Sequence, residues 1–483
     1  MNNNLPLHKQ SLTQAAKSIA EMTITSTDLI EDYLSNIAHL NPKLNAYITV
    51  LDEEARTQAH RADQNVRNND ALGPLHGVPI AIKDQVHTKG VLTSSASQIR
   101  SAFVPEEDAT VVSKLKAAGA IIIGKLNMTE FAMGDPITSH YGLTHNPWGV
   151  GRDPGTSSTG AGSATASFMT AASIGEDTGG SIRGPAANCG LVGIRPSWGL
   201  VSRFGLDGAS WSLDTLGPLA RSVEDTARVL AVIAGHDPKD PSTAKTPVPD
   251  YGNQLNGDIK GLRVAILHEF IDGPFAKLHP AVRASIEQAI VTFTKLGANV
   301  STVSIPNTNF AGTASRTISF VERVSLHPEW IREQPQNFHP NTRTAFLTGE
   351  LISAQGYYKA QKMRDKIRED VFKVLETYDV IVMPTDETPA GVMSSDIGFQ
   401  TIEAAKESLR KSMYRGLFSL VSGPALSVPA GFANEDGVSL PVGLQIASAP
   451  FNESVVFNCA YAFEQATEWH KTTPSLQDFA TND

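Results

Sequence analysis

Cysteine is nearly absent. Cys189 and Cys459 are the only two in 483 residues, too few for a disulfide framework. No stretch approaches the ~20 consecutive apolar residues that cross a bilayer, and the amino-terminal MNNNLPLHKQ holds no apolar segment of the secretory kind. Charged residues make up 19% of the chain and their balance is acidic, −10 in total. That argues against the clustered Lys and Arg that grip phosphate backbones. With 41% hydrophobic residues, disorder and coiled coil are disfavoured too. The expectation is a reduced, cytoplasmic protein that acts on a small molecule, with neither nucleic acid nor membrane as partner. A homodimer is compatible with all of this.

Familiar catalytic signatures are also missing. The G-x-S-x-G nucleophile elbow does not occur around Ser181, which sits in Gly179-Gly180-Ser181-Ile182-Arg183. HEFID (268–272) has half of H-E-x-x-H but no second histidine, so no zinc site is expected and no metal or cofactor is assigned. His87, His140 and His145 lie in segments with no companion signature for a general base. Ser113-Lys116 and Ser242-Lys245 have S-x-x-K spacing, but neither S-D-N nor K-T-G accompanies them.

What is present is a repeated alternation of helical patterns and short β-rich runs. ATVVSKLKAAG (109–119) leads into AIIIGK (120–125). SVEDTARVLAVIAG (222–235) reads as a helix capped by Ser222, with Asp225 three residues on. GLRVAIL (261–267), NVSTVSI and YDVIVMPT are strand candidates separated by long helical patterns. This alternation predicts an α/β fold with a large mixed sheet covered by helices on both faces. Residues 1–70 read as a helical segment packed on a core formed by 71–483, and the Pro-rich polar stretch 236–255 as a linker or long surface loop.

Three segments concentrate the chemistry. GEDTGGSIRGP (175–185) sets a hydroxyl, Ser181, directly behind two glycines, either a tight turn or a loop whose amides converge on something. GVPIAIKD (77–84) is a strand pattern ending in Lys83. A buried strand end would strip that lysine of solvation and favour its neutral amine; the simpler reading is a side chain snorkelling from a sheet edge. Asp84 should point to the opposite face. GTSSTGAGSATASFMTAAS (155–173) is either a flexible linker or a segment whose small residues let backbone approach backbone.

Together these segments resemble the amidase signature family of serine hydrolases. The resemblance runs from GVPIAIKD through DATVVSKLKAAGAIIIGKLNMTEFAMG, NPW and the Gly/Ser stretch to DTGGSIRGPAANCGLVGIRPSWG and LDTLGPLARSVEDTA. It is weaker in YDVIVMPT, GPALSVPAGF and LPVGLQI. It implies a catalytic trio of Lys83, Ser157 and the nucleophile Ser181, with a cis peptide bond at Thr156–Ser157 or Ser157–Ser158. Ser158 is the second choice for the middle serine. It also implies an oxyanion hole from the amides of Thr178, Gly179, Gly180 and Ser181, and a brace between Asp177 and Arg183 whose plainer reading is a surface contact. Phe131, Met133, Gly134 and Trp211 become candidates for the acyl pocket. The chain departs from the family pattern at Thr156 and Thr159, which replace glycines, and at Glu176, where a small residue is common.

The implied activity is C–N bond hydrolysis in small amides through an acyl-enzyme, with carbamates (urethanes) or anilides as an extension. The alternative is the glutaminase/amidase component of a tRNA-dependent amidotransferase complex. That alternative calls for a glutamine-binding arginine upstream of GYYKAQK (356–362), near which only Arg343 stands out.

Overall fold

The strand Arg263–Leu267 is apolar from its second residue onward, a pattern that requires both sides of its pleat to be covered. In the computed structural model, which describes residues 6–479, both sides are. Val264 and Ile266 enter one buried cluster, Ala265 and Leu267 another. The neighbouring strand Val380–Pro384 divides the same way, with Val382 on one side and Ile381 and Met383 on the other. The core is therefore two layers of apolar contact with a sheet between them, an α/β fold with helices on both faces.

That sheet has eleven strands: β1 (Tyr47–Val50), β2 (Pro79–Lys83), β3 (Ile121–Leu126), β4 (Ala172–Asp177), β5 (Val192–Arg195), β6 (Thr215–Ala220), β7 (Arg263–Leu267), β8 (Asn299–Val303), β9 (Val380–Pro384), β10 (Ala425–Glu435) and β11 (Val438–Ala447). Their spatial order is β1-β3-β2-β4-β6-β5-β10-β11-β9-β7-β8. β2 runs parallel to both β3 and β4, and β7 to both β8 and β9, while the remaining pairs are antiparallel. Lys83 and Asp177 consequently sit at the carboxyl ends of adjacent parallel strands, the edge of an α/β sheet where ligands bind.

The first seventy residues differ from the helical expectation at one place. Tyr47–Val50 is a strand, paired antiparallel with β3. YITV is aromatic and β-branched, and four residues are too few for a helical period to reveal the difference. Ser222 caps its helix as expected, its hydroxyl accepting from Asp225 N. The Asp225 carboxylate does not return the bond. It accepts from the amides of Leu12 and Thr13 at 3.1 and 3.0 Å and so fastens the first long helix to the core.

The stretch 236–255 is pinned down by polar contacts. Asp237 Oδ2 accepts from Ser202 Oγ at 2.6 Å, Asp240 Oδ2 accepts from Arg203 N at 2.8 Å, and Tyr251 is buried. Residues 1–5, part of the amino-terminal stretch read above, lie outside the described residues, as do 480–483. Among the described residues no helix is long and apolar enough to cross a membrane.

Candidate active site

Strand alternation decides where the lysine goes. Lys83 ends β2 fully buried and makes three contacts: Ser157 Oγ at 2.8 Å, Glu176 Oε2 at 3.1 Å and the Glu176 carbonyl at 3.4 Å. It does not snorkel. These contacts suit a neutral amine, whose two N–H groups reach the two glutamate acceptors while its lone pair receives the Ser157 hydroxyl proton. Burial lowers the Lys83 pKa, and the Glu176 carboxylate opposes that shift. Asp84, one residue on, points the other way and accepts from Ser94 Oγ at 2.5 Å, with Lys125 Nζ 3.9 Å away.

The Gly/Ser segment is not a linker. Its helix, Thr159–Ala166, is buried along its whole length. The peptide bond between Thr156 and Ser157 is cis, which resolves the choice between the two junctions. The loop before it lies hard against the turn that carries Ser181. Gly155 has φ +90°, and a Cβ there would fall 2.5 Å from Pro185 N and Cα. Ser158 is buried too, but its hydroxyl faces the Glu176 carbonyl at 3.3 Å. The hydroxyl within reach of Lys83 belongs to Ser157.

Asp177 organises the turn that follows β4. Its carboxylate accepts from Gly180 N at 2.8 Å and Ile182 N at 3.2 Å, and from Arg183 Nε and Nη2 at 3.1 and 3.0 Å. Both side chains of this pair have zero exposure, so the surface-contact reading fails. A third member, Arg195, adds an Nη1 contact at 3.1 Å that the sequence did not announce. Burial pushes the Asp177 carboxyl up, but Arg183 and Arg195 outweigh it and hold the group well below the usual carboxylate range.

Because Gly180 N–H is committed to Asp177, it is unavailable to an oxyanion, and that member of the expected hole is withdrawn. The amides of Thr178, Gly179 and Ser181 have no partner among the described residues. Gly180 has another task. Its φ is +116°, and a Cβ there would lie 2.5 Å from the Arg415 stem. Only glycine lets that arginine cross the turn.

Beneath Ser157 runs a chain of groups that motif reading missed. Thr178 Oγ1 lies 2.6 Å from Glu176 Oε1 and 2.8 Å from Asp214 Oδ1. A hydroxyl has one proton and can donate to only one of two carboxylates. The second contact therefore requires a protonated carboxyl. Asp214 meets that need: burial, then the nearby Glu176 charge, push its pKa up to about 7. Hydrogen bonds thus connect Asp214, Thr178, Glu176, Lys83 and Ser157 without a break. The one hint in the sequence was Glu176 itself, a charge where a small residue is usual.

Ser181 opens onto a small cavity of about 60 Å³, together with Thr156, Thr178, Gly179 and Gly134. The other acyl-pocket candidates lie elsewhere. Phe131 is 4% exposed in an aromatic cluster with Trp330, Phe338 and Phe346. Met133 is buried with its sulfur against Arg323. Trp211 is 61% exposed and edge-on to Trp198, beside a separate depression. These corrections share a cause: sequence proximity to a motif does not say which way a side chain turns. Arg343 is remote from the cavity lining too; its guanidinium reaches the Pro335 carbonyl. The cavity lining is shared instead by Arg316, Arg323 and Arg415, none of which stood out in the sequence.

Comparison with known proteins gives a consistent picture. A family model described as Amidase matches residues 28–457. A glutamyl-tRNA(Gln) amidotransferase subunit from Geobacter metallireducens is 39% identical over 473 residues, covering 92% of this chain and 95% of that protein. Among solved structures, a chain from work described as revealing a vestigial protein complex and the origins of an s-triazine catabolic enzyme has a TM-score of 0.87. It is 31% identical and covers 95% of this chain and 99% of its own. The peptide amidase of Stenotrophomonas maltophilia has a TM-score of 0.83 and 29% identity, covering 98% and 99%. These relatives overturn the expectation of a small molecule as sole partner with no nucleic acid involved. The Geobacter protein is by name one component of an enzyme acting with a tRNA. Net charge tests only for phosphate contacts carried by this chain, and in an assembly other chains can carry them.

Proposed function

Since this chain belongs to the amidase family and is a C–N hydrolase, we propose that it is the amide-cleaving subunit of a larger assembly; its amidotransferase relatives are by name subunits. The observation that carries its chemistry is the contact of a buried, desolvated Lys83 with Ser157 at 2.8 Å, in the loop that abuts the turn of Ser181. Ser181 Oγ attacks the amide carbonyl as Ser157 takes its proton and passes its own to Lys83. The amides of Gly179 and Ser181 receive the developing oxyanion, an arrangement in which each donor is worth roughly 3–4 kcal/mol. The C–N bond breaks, the relay returns a proton to the departing nitrogen, and water then attacks the acyl-enzyme along the same path.

The assembly reading rests on relatives such as the 39% identical Geobacter protein, whose match covers 92% of the chain. It is tested by ammonia release from glutamine and from simple amides, using the chain alone and the chain purified with whatever protein accompanies it. A rate that rises at least tenfold with the partner supports the proposal; full activity alone, unchanged by any partner, overturns it. A second reading, a stand-alone hydrolase of small amides, is favoured by the likeness to peptide amidase. Carbamates and anilides find no specific support in the cavity.

A further inference from the structure

The lining of the Ser181 cavity is unusually cationic. Arg316, Ser319 and Arg323 follow one another at i, i+3 and i+7 on the helix Ala311–Leu326, so they share one face. Arg415, from the helix Met413–Val421, joins them in lining the cavity, with Ser315 and Ser412 between. No Asp or Glu lines it.

The three guanidiniums are poorly compensated. Among the described residues Arg316 has neither a hydrogen bond nor an ion pair. Arg323 is 4% exposed, reaches only the Ala132 carbonyl at 3.4 Å and the Met133 sulfur, and leaves its buried Nε unpaired. Asp214 and Glu176 act on Arg323 from beneath at longer range. Arg415 has one carboxylate, Asp386, at 3.1 Å from Nε. Burial, then the charges of Arg415 and Arg323, push Arg316 down to about 10. A guanidinium offers five donors in a planar fork that matches a carboxylate. Arg316 and Arg415 are half-buried and Arg323 is buried; like charges held this close, with the Arg323 Nε donor unpaired, are costly, and an anion in the cavity would answer them together.

We propose that the amide cleaved here carries a carboxylate on a short acyl chain and no ammonium: the half-amide of a dicarboxylic acid rather than an α-amino acid amide. This rests on the reading that Ser181 is acylated from this cavity, and it names the substrate class. The carboxylate lies against Arg316 and its neighbours while the carboxamide faces Ser181. Water and half-amide then yield a dicarboxylate and ammonium. An α-ammonium would meet three cations and no acid in the lining, the neighbouring carboxylate of Asp386 being held by Arg415, so glutamine and asparagine are disfavoured although their carboxylates fit.

The test compares pairs that differ by the ammonium alone, succinamate with asparagine and glutaramate with glutamine, and adds butyramide as the neutral amide. Binding is measured by calorimetry on full-length Ser181→Ala protein, and turnover as ammonia release by the wild type, with partner if one co-purifies. Each half-amide should be preferred at least tenfold over its amino acid and over butyramide. Arg316→Gln should cut that preference at least tenfold, and Arg316→Lys should restore part of it. Equal or better binding of glutamine or butyramide overturns the anionic substrate while leaving the amidase intact. Binding in the expected order without hydrolysis of any amide overturns the amidase reading and leaves the anionic pocket standing. Failure of the folded protein to bind any of the five overturns the anionic proposal.

Discussion

The polar groups packed behind the Ser181 turn and the arginines that line its cavity differ in how their charge is met. On the strand side, buried polar groups answer one another: Asp177 meets Arg183 and Arg195, and the Lys83 amine meets Glu176. On the helix side, Arg316 has no partner among the described residues and Arg323 has none that is anionic within bonding distance. The first set is a finished structure, rigid because removing any member strands another in low dielectric. The second is complete only with something bound. Chemistry that must not vary belongs on the first, and the choice of substrate on the second.

Breaking the first set should have the largest consequences. Ser181→Ala and Lys83→Ala are each expected to lower amide turnover by a factor on the order of 10³ or more, with circular dichroism unchanged for Ser181→Ala; wild-type rates in either would remove the relay. Arg183→Ala strands a fully buried Asp177 and should cost about 3–5 kcal/mol, read as a fall in denaturation midpoint. Its absence would mean that Arg195 alone suffices.

Glu176→Gln sharpens the comparison by removing the carboxylate that opposes the effect of burial on Lys83. The lysine should stay neutral to lower pH, and the acidic limb of kcat/KM should move down; an upward move would assign the limb to another group. Asp214→Asn bears on stability. Asp214 stays protonated in the folded chain to about pH 7, whereas an unfolded aspartate ionises near ~4. Between those values the native state holds the extra proton, so this group's contribution falls as pH rises through the interval. The difference in Tm between pH 5 and pH 8 should shrink in the variant. The smallest effect belongs to Trp211→Ala. With its ring 61% exposed beside a different depression, less than a twofold change in kcat/KM is expected, and a larger one would bring it back to the substrate.

Legibility followed sequence distance. Lys83, Ser157 and Ser181 each stand in a dense local motif, and the Asp177–Arg183 brace spans six residues. The strands from AIIIGK to YDVIVMPT were readable because continuous apolar runs need both faces of a sheet covered. Tyr47–Val50 was not, because it is short and sits between helices. Arg316 and Arg415 were hidden because ordinary helices carry arginines everywhere, and nothing in a helical period distinguishes a solvated one from one turned into a cavity. Phe131 and Trp211 failed in the opposite sense, since a neighbour in the motif need not be a neighbour in the pocket.

By itself the sequence determined which backbone could be built around Ser181, since glycines, a strand-end lysine and apolar alternation impose their geometry locally. Tertiary structure alone decided the charge facing that serine, the withdrawal of Gly180 N–H by Asp177, and the proton shared from Asp214 to Glu176. Electrostatic environment depends on which groups meet across folded distance and how much water they lose, and the chain settles neither until it has closed.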